Sequence, residues 1–448
     1  MTDREKGMFV TPEGRNVRVT FVLVSSLFLL WGFCNGMIDV MDKHFQTELG
    51  LTLSQSAWVQ FAHYLGYFLM ALPAGWLATR LGYKGGIIAG LLMVSVGGFW
   101  FIPATRIASF WAFLAGVCVI AAGLTFLETI ANPYTTVLGD PRYAATRINL
   151  AQSMNGIGWI LGPLAGAAFF YGRDETGAST GSRTLWIPYA FVGVVVVILA
   201  AVFWKADVPD IKTEDDYHLD DAAAPGSHSI WAHPHFSLAV AAQFLYVAAQ
   251  AGIFSFFINY MTSQTPPLPE SWTSGFLAGY IEKGAEGGFQ LTDQGAANLA
   301  SLGFVFFLAG RFSGAAILRK HPAHAVLGLY GLVNTLLCLL VFLKIGWLSV
   351  AGVFGTYFFM SIMFPTIFAL GIHGLGLRAK KASAFIVMAI MGGALLPKLM
   401  GHVGDLYGMS RAFVVPLFCF AFVAFYGFAW PRLSGAPSLH GGVKTAGH

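Results

Sequence analysis

Charge is what this chain has least of. Asp, Glu, Lys and Arg make up 11% of its 448 residues, against about 25% in a soluble domain. Hydrophobic residues make up 56% and the mean hydropathy is +0.65, so the sequence reads as an integral membrane protein with several spans. The net charge of +4 comes from basic residues scattered through short loops, which argues against a nucleic-acid surface. Cysteine is scarce as well. Cys34, Cys118, Cys338 and Cys419 all fall inside apolar runs, with neither metal spacing nor a disulfide framework. His44, His233, His235, His321 and His324 sit in or beside loops at spacings that do not suggest zinc. The chain also lacks a Gly-Lys-Ser/Thr phosphate loop and any nucleophile–base set, which speaks against an ATP-driven pump and against an enzyme. No cofactor is expected. The first apolar run begins near Val19 without a small-residue cleavage site and is read as an uncleaved span.

Apolar runs of helical length are what the chain has in quantity. They lie near 18–41, 55–79, 86–104, 109–139, 148–171 and 185–205, then near 235–262, 294–318, 323–344, 346–373, 382–403 and 411–430. The expected organisation is a tail 1–17, a six-helix half 18–205, a linker 206–234 with the acidic run Glu214, Asp215, Asp216, a second half 235–430 and a tail 431–448. Lys and Arg concentrate in the tails, the linker and hairpins such as those holding Arg80, Lys84, Arg319 and Lys320. The positive-inside rule therefore places both termini and the linker in the cytoplasm, with the chain in the plasma (inner) membrane.

Glu128, in LETIANPYTTVLG (Leu127 to Gly139), stands about ten residues from the nearest loop. An ionised carboxylate at that depth costs roughly 2.5 to more than 10 kcal/mol, depending on the method. It is tolerated if it is protonated, paired or facing a wet cavity. Pro133 has no N–H, so the Thr129 carbonyl loses its helical partner and is available to a ligand or water. The next span opens with RINLAQSMNGIG, which sets Asn149, Gln152 and Asn155 three residues apart. Asn35 and Asp39 share a face of the first span, Gln60, His63 and Tyr67 one of the second, and Gln243, Tyr246 and Gln250 one of the seventh. Amides and carboxylates pair bidentately with ligands rich in hydroxyls, and aromatic faces cover the apolar side of such ligands. Plainer readings stand beside these. Asp39 is also explained as a solvated edge residue near Asp42 and Lys43, the three amides as links between helices, and His63 as a hydrogen-bonded interior histidine. Arg311 and Lys398 are also read as snorkelling to the interface, Arg80 as a gating or anchoring charge, and Asp405 as a helix-end residue.

The two halves resemble each other. Pro133 precedes Gly139 as Pro365 precedes Gly371, by six residues in PYTTVLG and in PTIFALG. GWLATR closes the second span as GAAILR closes the eighth, and MNGIGWILGP and MGGALLP follow in corresponding spans. Two parallel six-span repeats form the major facilitator architecture, an all-α fold of twelve transmembrane helices in two pseudo-symmetric halves, with the site at midplane between them.

With these residues in view the chain resembles the fucose–galactose–glucose:proton symporters of the major facilitator superfamily. The likeness is carried by LETIANPYTTVLG with RINLAQSMNGIG, by GRFSGAAILRKHPAHAVL from Gly310, by FPTIFALGIHGLG from Phe364 and by SAFIVMAIMGGALLP from Ser383. It implies that Asp39 and Glu128 handle the coupling ion and that Trp31, Asn35, Gln152 and Asn155 belong to the sugar site. The chain departs from the family's fucose carriers where Gly36 and Ile38 replace asparagines, where Phe254 and Phe364 replace Trp and Tyr, and in a longer loop at 263–293.

The function expected is uptake of a monosaccharide by symport with H⁺ through alternating access, by a chain that works as a monomer in the bilayer. Na⁺ coupling is the rival within that class, because a carboxylate with Asn35 and freed carbonyls also holds sodium. A sugar sensor that moves no cargo is the alternative from another class. The site residues expected are Asp39 and Glu128 for coupling, and Trp31, Asn35, His63, Glu128, Asn149, Gln152, Asn155, Tyr246 and Gln250 for substrate. Arg80, Arg311, Pro133 and Pro365 are assigned gating or structural roles.

Overall fold

The computed structural model describes residues 8–11, 14–139, 144–171, 184–209, 230–273, 279–284, 288–318, 321–373, 375 and 379–435. The middle of the linker, the far ends of both tails, and Arg142, Arg319 and Lys320 lie outside these residues, as do the side chains of Pro133 and Asn149.

Helices account for nearly all of it: α1 Arg18–Leu49, α2 Leu53–Ser56, α3 Trp58–Ile107, α4 Phe110–Val137, α5 Ala144–Phe170 and α6 Trp186–Lys205, followed by α7 Pro234–Ser255, α8 Phe257–Gln264, α9 Asp293–Leu318, α10 Ala323–Phe342, α11 Gly346–Met360, α12 Met363–Ile372, α13 Ala379–Met388, α14 Gly392–Tyr407, α15 Met409–Ala412 and α16 Val414–Ser434. Among the described residues ten stretches are long and apolar enough to cross a membrane. The other two expected runs are helical too. One is the first part of α3, which turns at Gly82 (φ 67°, ψ 179°) and so holds two spans, and the other is α5. The twelve-helix expectation therefore stands. The helices outrun their apolar runs, since polar ends still have every backbone group paired along the helix. α1 continues to Leu49, well past the expected end at 41.

Two compact units form, one of Met1–Glu48 with Ala62–His218 and one of Leu49–Phe61 with Leu219–His448. In the first, α1 and α5 touch backbone to backbone. A Cβ on Gly32 would fall on the Asn155 carbonyl, and one on Gly158 on that of Leu29. Small residues at such spacing let helices associate through van der Waals packing, which matters in lipid because burial there brings no hydrophobic gain. Stacked rings (Phe101 and Tyr189, centroids 3.9 Å apart) fill one end of this unit.

The other end holds a feature that polarity alone does not reveal. Val10 bridges Asn16, and Thr11 and Val17 are buried. Arg15 pairs with Asp207, Thr20 Oγ1 reaches the Asp207 carbonyl, Lys84 Nζ donates to the Ala206 carbonyl at 2.8 Å, and Tyr134 Oη to that of Pro209 at 2.8 Å. Tail and linker root are thus built into the unit. Arg147 lies beneath them, fully buried, donating to the carbonyls of Thr135 (3.0 Å), Met8 (3.0 Å) and Gly139 (3.4 Å). A cation at the end of α4 meets carbonyls that have run out of helical partners and the negative end of the helix dipole.

In the second unit α7 packs on α16, α14 and α12, and α10 on α16 and α11. Where α7 begins, Ile230, Phe236, Leu375, Ala382 and Ile386 form an apolar core. Residues 49–61 are pinned to this unit: the Asp405 carboxylate accepts from the N–H groups of Leu53 (2.8 Å) and Ser54 (2.9 Å), and the Lys398 ammonium lies 3.7 Å from the centre of the Trp58 ring. Asp405 is a helix-end residue, as expected, but the helix it caps is α2 and not its own. The 263–293 loop carries a 3₁₀ turn, Glu270–Thr273, and a short antiparallel pair, β1 Ile281–Lys283 and β2 Phe289–Leu291, with Glu282 opposite Gln290.

Candidate functional site

Several of the polar residues singled out in the first half lie near one another in the first unit. Trp31 and Asn35 share a face of α1 one turn apart, and His63 and Tyr67 do the same on α3. The Trp31 indole N–H donates to the Tyr67 hydroxyl, and the Asn35 side chain bonds the same oxygen. The His63 ring stands 5.0 Å from the Tyr67 ring, and its Nδ1 is buried with no partner. Asn35 Oδ1 is buried without a partner as well. Glu128 lies in the electrostatic reach of Tyr67 and, with Trp31, Leu27, Phe28, Leu127 and Ala131, lines a small cavity. Glu128 thus borders a small, mostly apolar cavity shared with an indole, where a carboxyl group is tolerated most readily in its protonated form.

The α1–α5 contact adds a further amide. Because Gly32 and Gly158 let the backbones meet, Asn155 is buried against α1 and its Nδ2 donates to the Phe28 carbonyl at 3.4 Å. That bond is the helix-linking role weighed for this amide. Gln152, one turn earlier on α5, is half-buried. Asp39 is only 8% exposed and lies ten residues inside the end of α1, with Asp42 more deeply buried still. That burial disagrees with the solvated reading of Asp39. Asp39 follows Asn35 by one turn but does not line the cavity of Glu128.

In the second unit Tyr246 is fully buried and its hydroxyl donates to the Met360 carbonyl at 2.9 Å, so it reaches a ligand only by giving up that bond. Gln250 is half-buried on the same helix. Phe254 packs against Phe304 and Tyr357 (4.8 and 4.7 Å), and Phe364 lies 6.4 Å from Tyr246. Arg311 does not snorkel. Its Nε reaches the Ser361 carbonyl at 3.4 Å and its guanidinium covers the Phe307 ring. Arg80 is exposed and rests on Trp76.

Tyr67 is the residue that sequence reasoning undervalued. Its spacing after His63 was visible, but only the fold shows that one hydroxyl ties together Trp31, Asn35 and the surroundings of Glu128. Chemically the arrangement offers a flat aromatic face, amide donors and acceptors, and a carboxyl group able to carry a proton. Among the described residues it holds no nucleophile poised beside a base.

The Major Facilitator Superfamily model matches residues 19–397. The glucose/galactose transporter of Brucella abortus (biovar 1, strain 9-941) is 31% identical over 93% of this chain and 95% of its own. The L-fucose-proton symporter of Escherichia coli K12 is 33% identical over 92% and 93%. Among solved structures, the transporter FucP in the outward conformation superposes with a TM-score of 0.66 at 33% identity, covering 93% of this chain and 99% of that one. The D-xylose-proton symporter matches at a TM-score of 0.67 and 11% identity, a likeness of fold alone. Twelve membrane spans in two related halves, the first carrying a buried carboxylate, agree with what these comparisons show: the chain belongs to the major facilitator superfamily, and it is a transporter and not an enzyme.

Proposed function

We propose that this transporter imports a monosaccharide, a hexose or deoxyhexose, by symport with H⁺. It does so as a monomer in the plasma membrane, with both termini in the cytoplasm. The observation that carries the reading is that Glu128 and Trp31 line one small cavity, with the Trp31 N–H committed to Tyr67. An aromatic ring covers one face of a pyranose, while Asn35 and Gln152 answer its hydroxyls. Glu128 takes the proton on one side of the membrane and releases it on the other. Asp39, buried one turn beyond Asn35, is the second coupling carboxylate. The names of the relatives, a glucose/galactose transporter and an L-fucose-proton symporter, support the cargo class.

The test is uptake into proteoliposomes of labelled L-fucose, D-galactose and D-glucose under an imposed pH gradient, with and without sodium. Accumulation of one of them that collapses with uncoupler and ignores sodium is expected. Accumulation that survives uncoupler and requires sodium makes Na⁺ the coupling ion. Binding without counterflow makes the protein a sensor.

A further inference from the structure

The joint between α11 and α12 has an unusual set of partners. Ser361 (φ −60°, ψ −33°) and Ile362 (φ −101°, ψ −5°) keep near-helical backbone angles, so the chain does not turn away there. What is missing is a hydrogen bond. The Thr366 N–H bonds the Ile362 carbonyl at 3.2 Å, one step along, but the donor for Ser361 would be the N–H of Pro365, which does not exist. A side chain from another helix stands in its place: Arg311 Nε on α9, 3.4 Å from the Ser361 carbonyl. The neighbouring carbonyl, that of Met360, is taken by the Tyr246 hydroxyl from α7 at 2.9 Å. Two successive carbonyls at one break are thus served by donors from two different helices.

The glycine before Arg311 makes this reach possible. A Cβ on Gly310 would fall on the Phe358 carbonyl oxygen and within 2.5 Å of Ser361 Oγ, and one on Gly314 within 2.5 Å of Ile362. The backbone of α9 is therefore pressed against the joint itself. The Phe307 ring, one turn back, lies 4.9 Å beneath the guanidinium and keeps it from swinging toward the membrane surface.

We propose that Arg311 is a positioning residue for transport, supplying to the Ser361 carbonyl the hydrogen bond that Pro365 withholds, with Tyr246 as the second half of a clasp on the α11–α12 joint. A backbone N–H would fix the angle of the joint. A guanidinium on a flexible stem holds the carbonyl while the joint bends, which suits a helix that must change its bend as a carrier alternates. An Arg serves better than a Lys, because its several fixed donors can trade places on one acceptor.

The test is a compensation experiment on the purified full-length protein, read by hydrogen exchange of peptides covering residues 358–372. It needs no knowledge of the cargo. A hydrogen bond from a charged donor corresponds to roughly tenfold or more in an equilibrium, so Arg311→Gln is expected to speed exchange at the joint by about that factor. Pro365→Ala returns the missing N–H, and the double variant is expected to exchange at the wild-type rate or more slowly. Unchanged exchange in Arg311→Gln, or a double variant that exchanges as fast as Arg311→Gln, overturns the proposal. If Arg311→Gln yields no folded protein, recovery of a monodisperse double variant supports the clasp and failure to recover it overturns it. Uptake of L-fucose, D-galactose and D-glucose adds a readout that rests on the function proposed above. Arg311→Gln should lower the maximal rate with KM nearly unchanged and Pro365→Ala should restore it. A rise in KM that Pro365→Ala leaves uncorrected makes Arg311 a ligand of the cargo and removes the positioning role.

Discussion

The fourth span of the first unit and the tenth of the second share a sequence device and do different things with it. Each has a proline six residues ahead of a glycine. In the first, α4 runs unbroken from Phe110 to Val137 through Pro133, and Gly139 (φ 129°) ends it in a conformation only glycine adopts easily. In the second, the helix parts at Ser361 and Ile362 just before Pro365, and Gly371 stays inside α12. The residue before the carbonyl that each proline frees is Glu128 in one case and Met360 in the other. The first unit puts an acid at its proline; the second puts a base there, Arg311, borrowed from a neighbouring helix. Repetition has thus conserved a backbone device while the ionisable groups around it diverged, acidic beside a cavity in one unit and basic on a backbone carbonyl in the other.

The sharpest way to break this contrast is to neutralise the acid. Glu128→Gln should abolish gradient-driven accumulation while sparing counterflow of labelled sugar, because the cavity and its ring remain. Uptake by the wild type should rise as the outside is acidified, and uptake by the variant should be flat across pH. Concentrative uptake by Glu128→Gln would move the coupling function to Asp39 or elsewhere. If the acid of one unit and the base of the other are separate inventions, Met360→Glu will not rescue the variant.

Arg147 tests whether a buried cation in the first unit has the same kind of job as Arg311. It spans three carbonyls, tying the tail at Met8 to the end of α4, and hydrogen bonds from charged groups are worth about 1.5–3 kcal/mol each net of exchange with water, with the three not additive. Arg147→Met should cost about 3 kcal/mol or more, seen as a lowered thermal unfolding midpoint in detergent, and should free residues 9–17 to limited proteolysis. Loss of activity with the midpoint unchanged would assign Arg147 a part in transport and not in assembly.

Much of this was legible before the fold was known, for identifiable reasons. Membrane helices announce themselves by length and apolarity, and a carboxylate as deep as Glu128 is conspicuous because its surroundings make it expensive. The convergence of Trp31, Asn35 and Asn155 needed the α1–α5 contact, which the glycines of each span hint at without naming the partner. Other features left no periodic trace. Tyr67 became a hub through neighbours on α1. Asp405 caps a helix more than 300 residues away in sequence, and Arg15 of the polar tail pairs with Asp207 at the linker root. Arg311 looked like a snorkelling cation because hydropathy has no term for a carbonyl left over by a proline on another helix.

A milder probe of the site keeps the ring and removes one proton. Trp31→Phe preserves the aromatic face and deletes the N–H given to Tyr67. Loss of one neutral hydrogen bond is worth about 1 kcal/mol, so KM should rise roughly fivefold with the coupling to the pH gradient intact. A change in coupling with KM unmoved would place Trp31 with the proton path and not with the sugar.

The smallest effect is expected at Gln243, and it bears on the second unit alone. This amide sits on α7 less than one turn before Tyr246, fully buried, and neither its Nε2 nor its Oε1 has a hydrogen-bond partner. A buried amide in that condition carries its desolvation cost without return, so replacing it with an apolar group of similar volume should be neutral or stabilising. Gln243→Leu should therefore leave uptake within about twofold, which is less than one hydrogen bond is worth, and should hold or raise the unfolding midpoint. The contrast with Gln152, which is not left without an interaction, then becomes one of function, with the ligand chemistry concentrated around Glu128. Should Gln243→Leu abolish uptake while the protein stays folded, its two unsatisfied atoms are waiting for cargo, and the second unit contributes to recognition as well as to bending.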